Sequence, residues 1–442
     1  MRACLSTLVV IVFLFANTIV SAADRRPDPS ALVVMTFNGE FLWDGRAPEE
    51  GSVNFSWKNA PDEADERMDA IAEIIAAHNP DIVNLVEVES LAALKHLNDT
   101  FLPGRGYAAH LAKGTDSFTG QDVGLLTRID PEDGKIARDG RKGRSHRTKK
   151  SVSKNYFAKL IVGGRKIAVI GVHYLSRPSD DSRLHKRQAQ AEATANLARE
   201  LAADGHEIIL MGDMNDYTGE PGARDINDHM PITDVLARLQ AMDPSTADDN
   251  LVNALRFVPK GRRFTSHWDR DDDNRIDAPR EFSAIDHILV SRGLADQIDW
   301  VEIDHGHDPL ALSDHFPIIV RFDLSDDGGP VPPAGEAAVR IEWLLPNPAG
   351  DERQNEAAAV INLGQAPVSL NGWTLRDAAN TSWALDSLGT LAAGSSAEIR
   401  RNGQPMALNN RGDRVDLVDA GGFVRDAVSY GSADEGERLT FH

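Results

Sequence analysis

Between Ala31 and Leu324, short apolar runs alternate with stretches of helical period, and this pattern constrains the fold more than any other feature of the chain. "ALVVMTF", "DIVNLVEV", "DVGLLTR", "YFAKLIV", "KIAVIGVHYL", "EIILMGDMN", "FSAIDHILVS" and "FPIIVRF" have the length and β-branched content of buried strands. Between the first two, Met68, Ile71, Ala72 and Ile75 recur at i, i+3, i+4 and i+7, which predicts a helix over Asp62 to His78. Ser182 to Ala203 reads as a second, Ala-rich helix. Strands interleaved with helices predict a mixed α/β domain over residues 31–324, its sheets covered by helices.

Residues 325–336, rich in Pro and Gly and without periodicity, read as a linker. Residues 337–442 carry short alternating runs ("AAVRIEWL", "AAAVINLG", "LNGWTLRD", "DRVDLVDAGG", "RDAVSYG") with turn signals and no helical period, which predicts a small β-sandwich. Residues 1–22 have Arg2, an apolar run from Leu8 to Phe15 and small residues at Ser21 and Ala22, the pattern of a cleaved signal peptide. The sole cysteine, Cys4, lies in that segment. The mature chain therefore has no disulfide, thiol nucleophile or cysteine-ligated metal. The expected location is secreted, periplasmic or cell-surface, with no transmembrane segment in the mature chain, which is expected to be monomeric.

Polar residues recur at the ends of the apolar runs: Asn38 and Glu40, Glu87, His173, Asp213 and Asn215, Asp286, and Asp314 with His315. One carboxylate or Asn at a strand end commonly builds a turn or caps a helix, and a lone His is usually structural. Recurrence after so many runs points instead to a site, because α/β sheets collect functional groups at strand ends. No G-x-S-x-G, H-E-x-x-H or P-loop is present, so serine hydrolases, zincins and P-loop NTPases find no support.

In order, "TFNGEF", "VEVE", "GVH", "GDMND", "IDHILV" and "SDHFPI" resemble the endonuclease/exonuclease/phosphatase superfamily, whose members include deoxyribonuclease I, exonuclease III and neutral sphingomyelinases. The resemblance implies an α/β four-layer sandwich, two central sheets flanked by helices, and metal-dependent phosphoester cleavage. It implies Glu87 as principal ligand of Mg²⁺ (or Mn²⁺), with Asn38, Glu40 and Asp314 beside it, an oxygen set that suits a hard cation. It also implies His315 as general base or phosphate contact, oriented by Asp286. Asp213 and Asn215 then align the water and the non-bridging oxygens, and His173, with Asp122 as its holder, protonates the leaving oxygen.

The formal net charge is −21, yet Lys135 to Lys150 holds eight Lys or Arg against one Asp, a window of +7. In the resembled nucleases a loop here supplies phosphate contacts, so Arg144, Arg147, Lys149, Lys150 and Lys154 are candidate substrate-phosphate ligands. Binding of a polyanion there would be strongly salt-dependent. In "DRDDDNRID", Asp269, Asp271, Asp273 and Asp277 fit positions one, three, five and nine of a calcium loop. Arg280 stands where the twelfth-position Glu belongs, and Glu281 is its candidate substitute.

"VINLGQAPVSLNGWTLRD" and "LNNRGDRVDLVDAGGFVRDAVSYG" resemble a lamin-tail domain, which implies a non-catalytic, immunoglobulin-like sandwich that attaches to a surface or another macromolecule. The leading expectation is an exported, metal-dependent endonuclease cleaving DNA or RNA. A phosphodiesterase or phosphatase acting on lipid or small phosphoesters is the alternative, and a non-catalytic surface-binding protein is the third.

Overall fold

The computed structural model describes residues 23–48, 50–242, 250–325, 339–363, 367–377, 381–419 and 424–441. The proposed signal peptide (1–22) and nearly all of the proposed linker (325–336) lie outside them. The chain divides into two compact units. One comprises the chain up to Pro27, Thr36–Asp216 and Ile232–Leu251. The other comprises Asp28–Met35, Tyr217–Pro231 and Val252–His442.

In the first unit, β1 (Ala31–Leu42, shared with the second unit) leads to α1 (Pro61–His78), β2 (Ile82–Val88), α2 (Leu91–His96), β3 (Ala108–Leu111) and β4 (Asp122–Thr127). β4 pairs antiparallel with both β2 and β3. The helix expected over Asp62 to His78 is α1. Pro61 starts it, Asp62 and Glu63 occupy its first turn, and Asn79 ends it in the left-handed region. Its predicted stripe, Met68, Ile71, Ala72 and Ile75, is buried.

A second set follows: β5 (Gly143–Ser145), β6 (Thr148–Lys150), β7 (Lys154–Val162), β8 (Arg165–His173), α3 (Asp181–Ala203), β9 (Glu207–Asp213) and α4 (Val235–Gln240). β7 and β8 are antiparallel, and β8 and β9 are parallel. α3 is the crossover that a parallel pair requires. Asp180 caps α3 by accepting from Ser182 N at 2.9 Å. Ala189, Ala193, Leu197 and Leu201 lie on its buried side.

The basic segment, expected as a loop, folds as the β5–β6 hairpin against α3. Period two explains the division of roles: Gly143 and Ser145 face inward while Arg144 faces solvent. Ser145 Oγ donates to Gln188 Oε1 (2.9 Å). A Cβ on Gly143 would overlap the Ala189 carbonyl and the Ala193 nitrogen, so only glycine permits this approach.

In the second unit, β10 (Val252–Asn253) pairs with β13 (Asp286–Val290), and β11 (Ser266–His267) with β12 (Phe282–Ser283). α5 (Arg292–Ala295) leads to β14 (Ile298–Ile303), which pairs antiparallel with β15 (Ile318–Asp323). Its C-terminal part carries two four-stranded sheets. One orders Ser396–Arg400, Ala357–Asn362, Val339–Leu345 and Leu439–Thr440. The other orders Ser382–Ala384, Thr374–Asp377, Asp413–Val418 and Val424–Tyr430. Both feed one core, in which Ile341, Val360, Leu375, Trp383, Val415 and Leu417 are buried. Trp373 joins that core, and Trp343 lies under the Arg438 guanidinium, 4.1 Å from its ring. The fold class is the expected one: α/β with mixed sheets, followed by an immunoglobulin-like β-sandwich.

Candidate functional site

In the first unit the strand register assembles a cluster. Lys154, His173 and Asp213 are direct neighbours across β7, β8 and β9. Asn38, near the end of β1, sets its amide nitrogen 3.4 Å from both Glu87 Oε1 and Asp213 Oδ2. His173 Nε2 stands 3.5 Å from Asp213 Oδ2 and 3.8 Å from Glu87 Oε1. Asn215 N donates to Asp213 Oδ1 at 2.9 Å. Asn38, Glu87, His173, Asp213 and Asn215 are therefore brought together.

The backbone is bent to do this. Glu87 has φ 64°, where β2 breaks register against β4 between Val86 and Val88. Asn215 has φ 50° and Glu40 φ 46°. Non-glycine residues in this region cost about 1–3 kcal/mol each and cluster at functional sites. The bulge turns the Glu87 carboxylate so that Oε2 accepts from Phe41 N (3.1 Å) while Oε1 faces Asn38. Glu40 is more exposed, with its carboxylate 3.8 Å from Arg67, whose guanidinium covers the Trp57 ring.

Two support residues were not among the expected site residues, Arg187, which had no sequence signal, and Asp216, which closes the motif "GDMND". Arg187, buried on α3, donates to the carbonyls of Leu175, Arg177 and Pro178 and so fixes the segment that follows His173. Asp216 accepts from Ile232 N and Thr233 N, closing the chain behind Asn215.

Asp122 does not hold His173. Its carboxylate accepts from Gly114 N (2.7 Å) and pairs with Lys113 (2.8 Å), which claims the group expected to orient the imidazole. Burial nevertheless pushes Asp122 above the usual carboxylate range, against the pull of Lys113. Lys154 also stands apart from the exposed hairpin charges. It is buried, and its ammonium donates to Gln121 Oε1 (3.1 Å) and lies 3.5 Å from Asp116.

In the second unit, Asp286 Oδ2 lies 2.7 Å from His315 Nδ1, with both residues buried. Thr265, another residue without a sequence signal, donates its hydroxyl to the same Asp286 oxygen (2.9 Å) and accepts from Asp286 N. A carboxylate only accepts, so Nδ1 of His315 carries the hydrogen, and in the neutral imidazole Nε2 is the nitrogen with the lone pair. Asp314 is half exposed, 3.8 Å from that Nε2.

In the acidic loop, carboxylate oxygens of Asp269, Asp271 and Asp273 lie within 4.8 Å of one another. Arg280, however, binds Asp271 (2.9 Å) and Asp277 (2.7 Å), occupying two of the four expected calcium ligands. Glu281 is buried and accepts from Arg270 N and Asp277 N, a fastening of the loop ends.

Residues 35–315 match the Endonuclease/Exonuclease/phosphatase family, and the chain belongs to it. Its members are metal-dependent phosphoester hydrolases. Residues 332–432 match the Lamin Tail Domain. Among solved structures, a 3'-5' exonuclease from Neisseria meningitidis is 18% identical, covering 66% of this chain and all of its own, with a TM-score of 0.44. An endonuclease/exonuclease/phosphatase from Beutenbergia cavernae is 16% identical, covering 91% of this chain and 100% of its own, with a TM-score of 0.43. Truncated TDP2 from Caenorhabditis elegans is 18% identical, covering 66% of this chain and 98% of its own, with a TM-score of 0.42. No curated protein matches. Among the described residues no helix is long and apolar enough to cross a membrane.

Proposed function

We propose that this member of the family is an exported, Mg²⁺-dependent nuclease that hydrolyses internal phosphodiester bonds of DNA. The observation that carries the hydrolytic assignment is the buried Asp286–His315 pair, which fixes one imidazole nitrogen and leaves the other as a base. In this reading His315 Nε2 takes a proton from water as the water oxygen bonds to phosphorus. The ester P–O bond then breaks, and the leaving alkoxide takes a proton from His173. Asp213 and Asn215, held together by their 2.9 Å hydrogen bond, orient water and the non-bridging oxygens.

Asn38, Glu40, Glu87 and Asp314 would hold the metal ion. The Glu87 carboxylate, held off the regular strand path, fits a hard divalent cation, whereas Asn38 turns its amide nitrogen to Glu87 and its carbonyl to Glu40 N and would have to turn that amide over to offer an oxygen. Such an ion supplies charge neutralisation at the scissile phosphate.

The nucleic-acid assignment rests on the basic hairpin of an otherwise acidic chain, whose Arg144, Arg147, Lys149 and Lys150 are all exposed. Removal of residues 1–22 on export, a monomeric state, and attachment through the lamin-tail domain to a surface or macromolecule belong to the same reading.

The test is nicking of supercoiled plasmid by the purified mature protein with Mg²⁺, with and without EDTA, beside His315→Ala. Metal-dependent nicking lost in the variant is expected. Wild-type protein that cleaves neither plasmid nor RNA with Mg²⁺ or Mn²⁺ would refute the nuclease reading, and lipid and small phosphodiesters would be the next substrates.

A further inference from the structure

The chain from Thr265 to Trp268 runs antiparallel to the segment carrying Asp314 and His315. Phe316 N donates to Thr265 O and His267 N to Asp314 O, each at 2.8 Å, and Ser266 is the bridge partner of His315. These bonds make Ser266 and His315 a non-hydrogen-bonded pair, whose side chains share one face and approach closely. Trp268 keeps its place in the ladder on the other edge, donating from its backbone to Glu281 O (2.9 Å). Trp268 thus follows two residues after the bridge partner of His315, just past the end of β11 (Ser266–His267).

That indole is 65% exposed, while Ser266, His267 and His315 around it are buried. The Arg270 guanidinium stands 5.7 Å from its ring centroid. A Trp left mostly in water, two residues along the chain from the bridge partner of a histidine held by a buried carboxylate, has no part in the core. Its flat apolar face and the neighbouring cation match a nucleobase and its backbone phosphate.

We propose that Trp268 is a stacking platform for a nucleobase flanking the bond cleaved beside His315, so that the enzyme selects phosphodiesters carrying an aromatic base. The inference rests on the nuclease reading and sharpens it. A phosphate alone is recognised by charge, whereas an indole rewards a π-face and is indifferent to which base supplies it. Selection between nucleic acid and base-free phosphodiesters then lies in this residue, and little sequence preference follows from it.

The experiment compares wild type, Trp268→Ala and Trp268→Phe on two single-stranded oligodeoxynucleotides of equal length, one with all its bases and one built of abasic tetrahydrofuran units. On the base-bearing strand, Trp268→Ala raises KM roughly five- to 150-fold, the span expected for loss of one stacked base, with kcat little changed. Trp268→Phe recovers most of that loss. On the abasic strand wild type and Trp268→Ala have the same KM. An unchanged KM on the base-bearing strand, or an equal rise on both strands, overturns the platform while leaving the nuclease reading intact. A wild-type protein that nicks plasmid but cleaves neither strand overturns the platform alone, whereas one that cleaves neither plasmid nor RNA overturns the nuclease reading and the platform with it.

Discussion

The hairpin at Gly143 to Lys150 makes a quantitative prediction about binding. Gly143 and Ser145 anchor it to α3, and Arg144, Arg147, Lys149 and Lys150 are left exposed. Each DNA phosphate neutralised by such a group contributes about 0.9 to the slope of log affinity against log salt. Replacing all four by Gln, in an inactive His315→Ala background, should flatten the slope for duplex DNA by up to about 3.6. Between 50 and 200 mM salt, wild type should then lose about a hundredfold more affinity than the variant. Fluorescence anisotropy of a labelled duplex, titrated at four salt concentrations in EDTA, measures this directly. Lys154→Gln, whose ammonium is buried against Gln121 and Asp116, should leave the slope unchanged. Gly143→Val keeps every charge but cannot keep the approach to α3, so it should weaken binding together with thermal stability. A slope that falls by less than about one in the quadruple variant would refute the hairpin as a phosphate-binding surface.

Three further outcomes are expected. Asp286→Asn puts an amide 2.7 Å from His315 Nδ1 and should lower kcat about a hundred- to ten-thousand-fold with little change in KM, and an unchanged kcat in steady-state assays would refute the pairing as a catalytic device. Burial under Phe264 holds His305 down to about 4, so the unfolded chain takes that proton first. Stability is whole above about pH 6.5 and falls as pH drops towards 4, by at most about 3 kcal/mol. Urea denaturation of wild type and His305→Gln at pH 7, 5.5 and 4.5 should show the variant with the flatter profile. Trp383→Ala removes a fully buried indole whose Nε1 donates to Met406 O (2.8 Å) and should destabilise the C-terminal sandwich by about 3–5 kcal/mol, read as a shifted denaturation midpoint.

The legible parts of the molecule are those where a local period sets side-chain direction. Strands β2, β4, β8 and β9 are buried on both faces, so each appears as an apolar run whose end can be seen. His173 and Asp213, the last residues of β8 and β9, were found that way. α1 was legible because its stripe runs i, i+3, i+4, i+7 over about two turns, and α3 because alanine dominates its buried side. The β5–β6 hairpin was not. Three-residue strands of Gly, Arg, Lys, Thr and Ser have no propensity of their own and exist through contact with α3. Thr265 escaped for the same reason, since it adjoins the two-residue strand β11 and meets Asp286 twenty-one residues away.

The failure at Asp122 is of a different kind and separates position from direction. Motif order placed Asp122 correctly at the start of β4, but the partner of a side chain depends on what else folds beside it, here Lys113 and Gly114 N from the preceding segment. Glu87 shows the converse. Its motif identified the residue, but no sequence period encodes the turn at φ 64° that lifts it out of the β2 pleat. Regular alternation would have sent it to the opposite face from Val86 and Val88. The observed orientation is the irregular one, and the surrounding fold sustains its cost. Replacing Glu87 by Gln would preserve the bulge and remove only the charge, whereas restoring a regular strand would move the group itself. In this chain the sequence therefore identifies which groups can do the chemistry, and the departures from regular structure determine where those groups point.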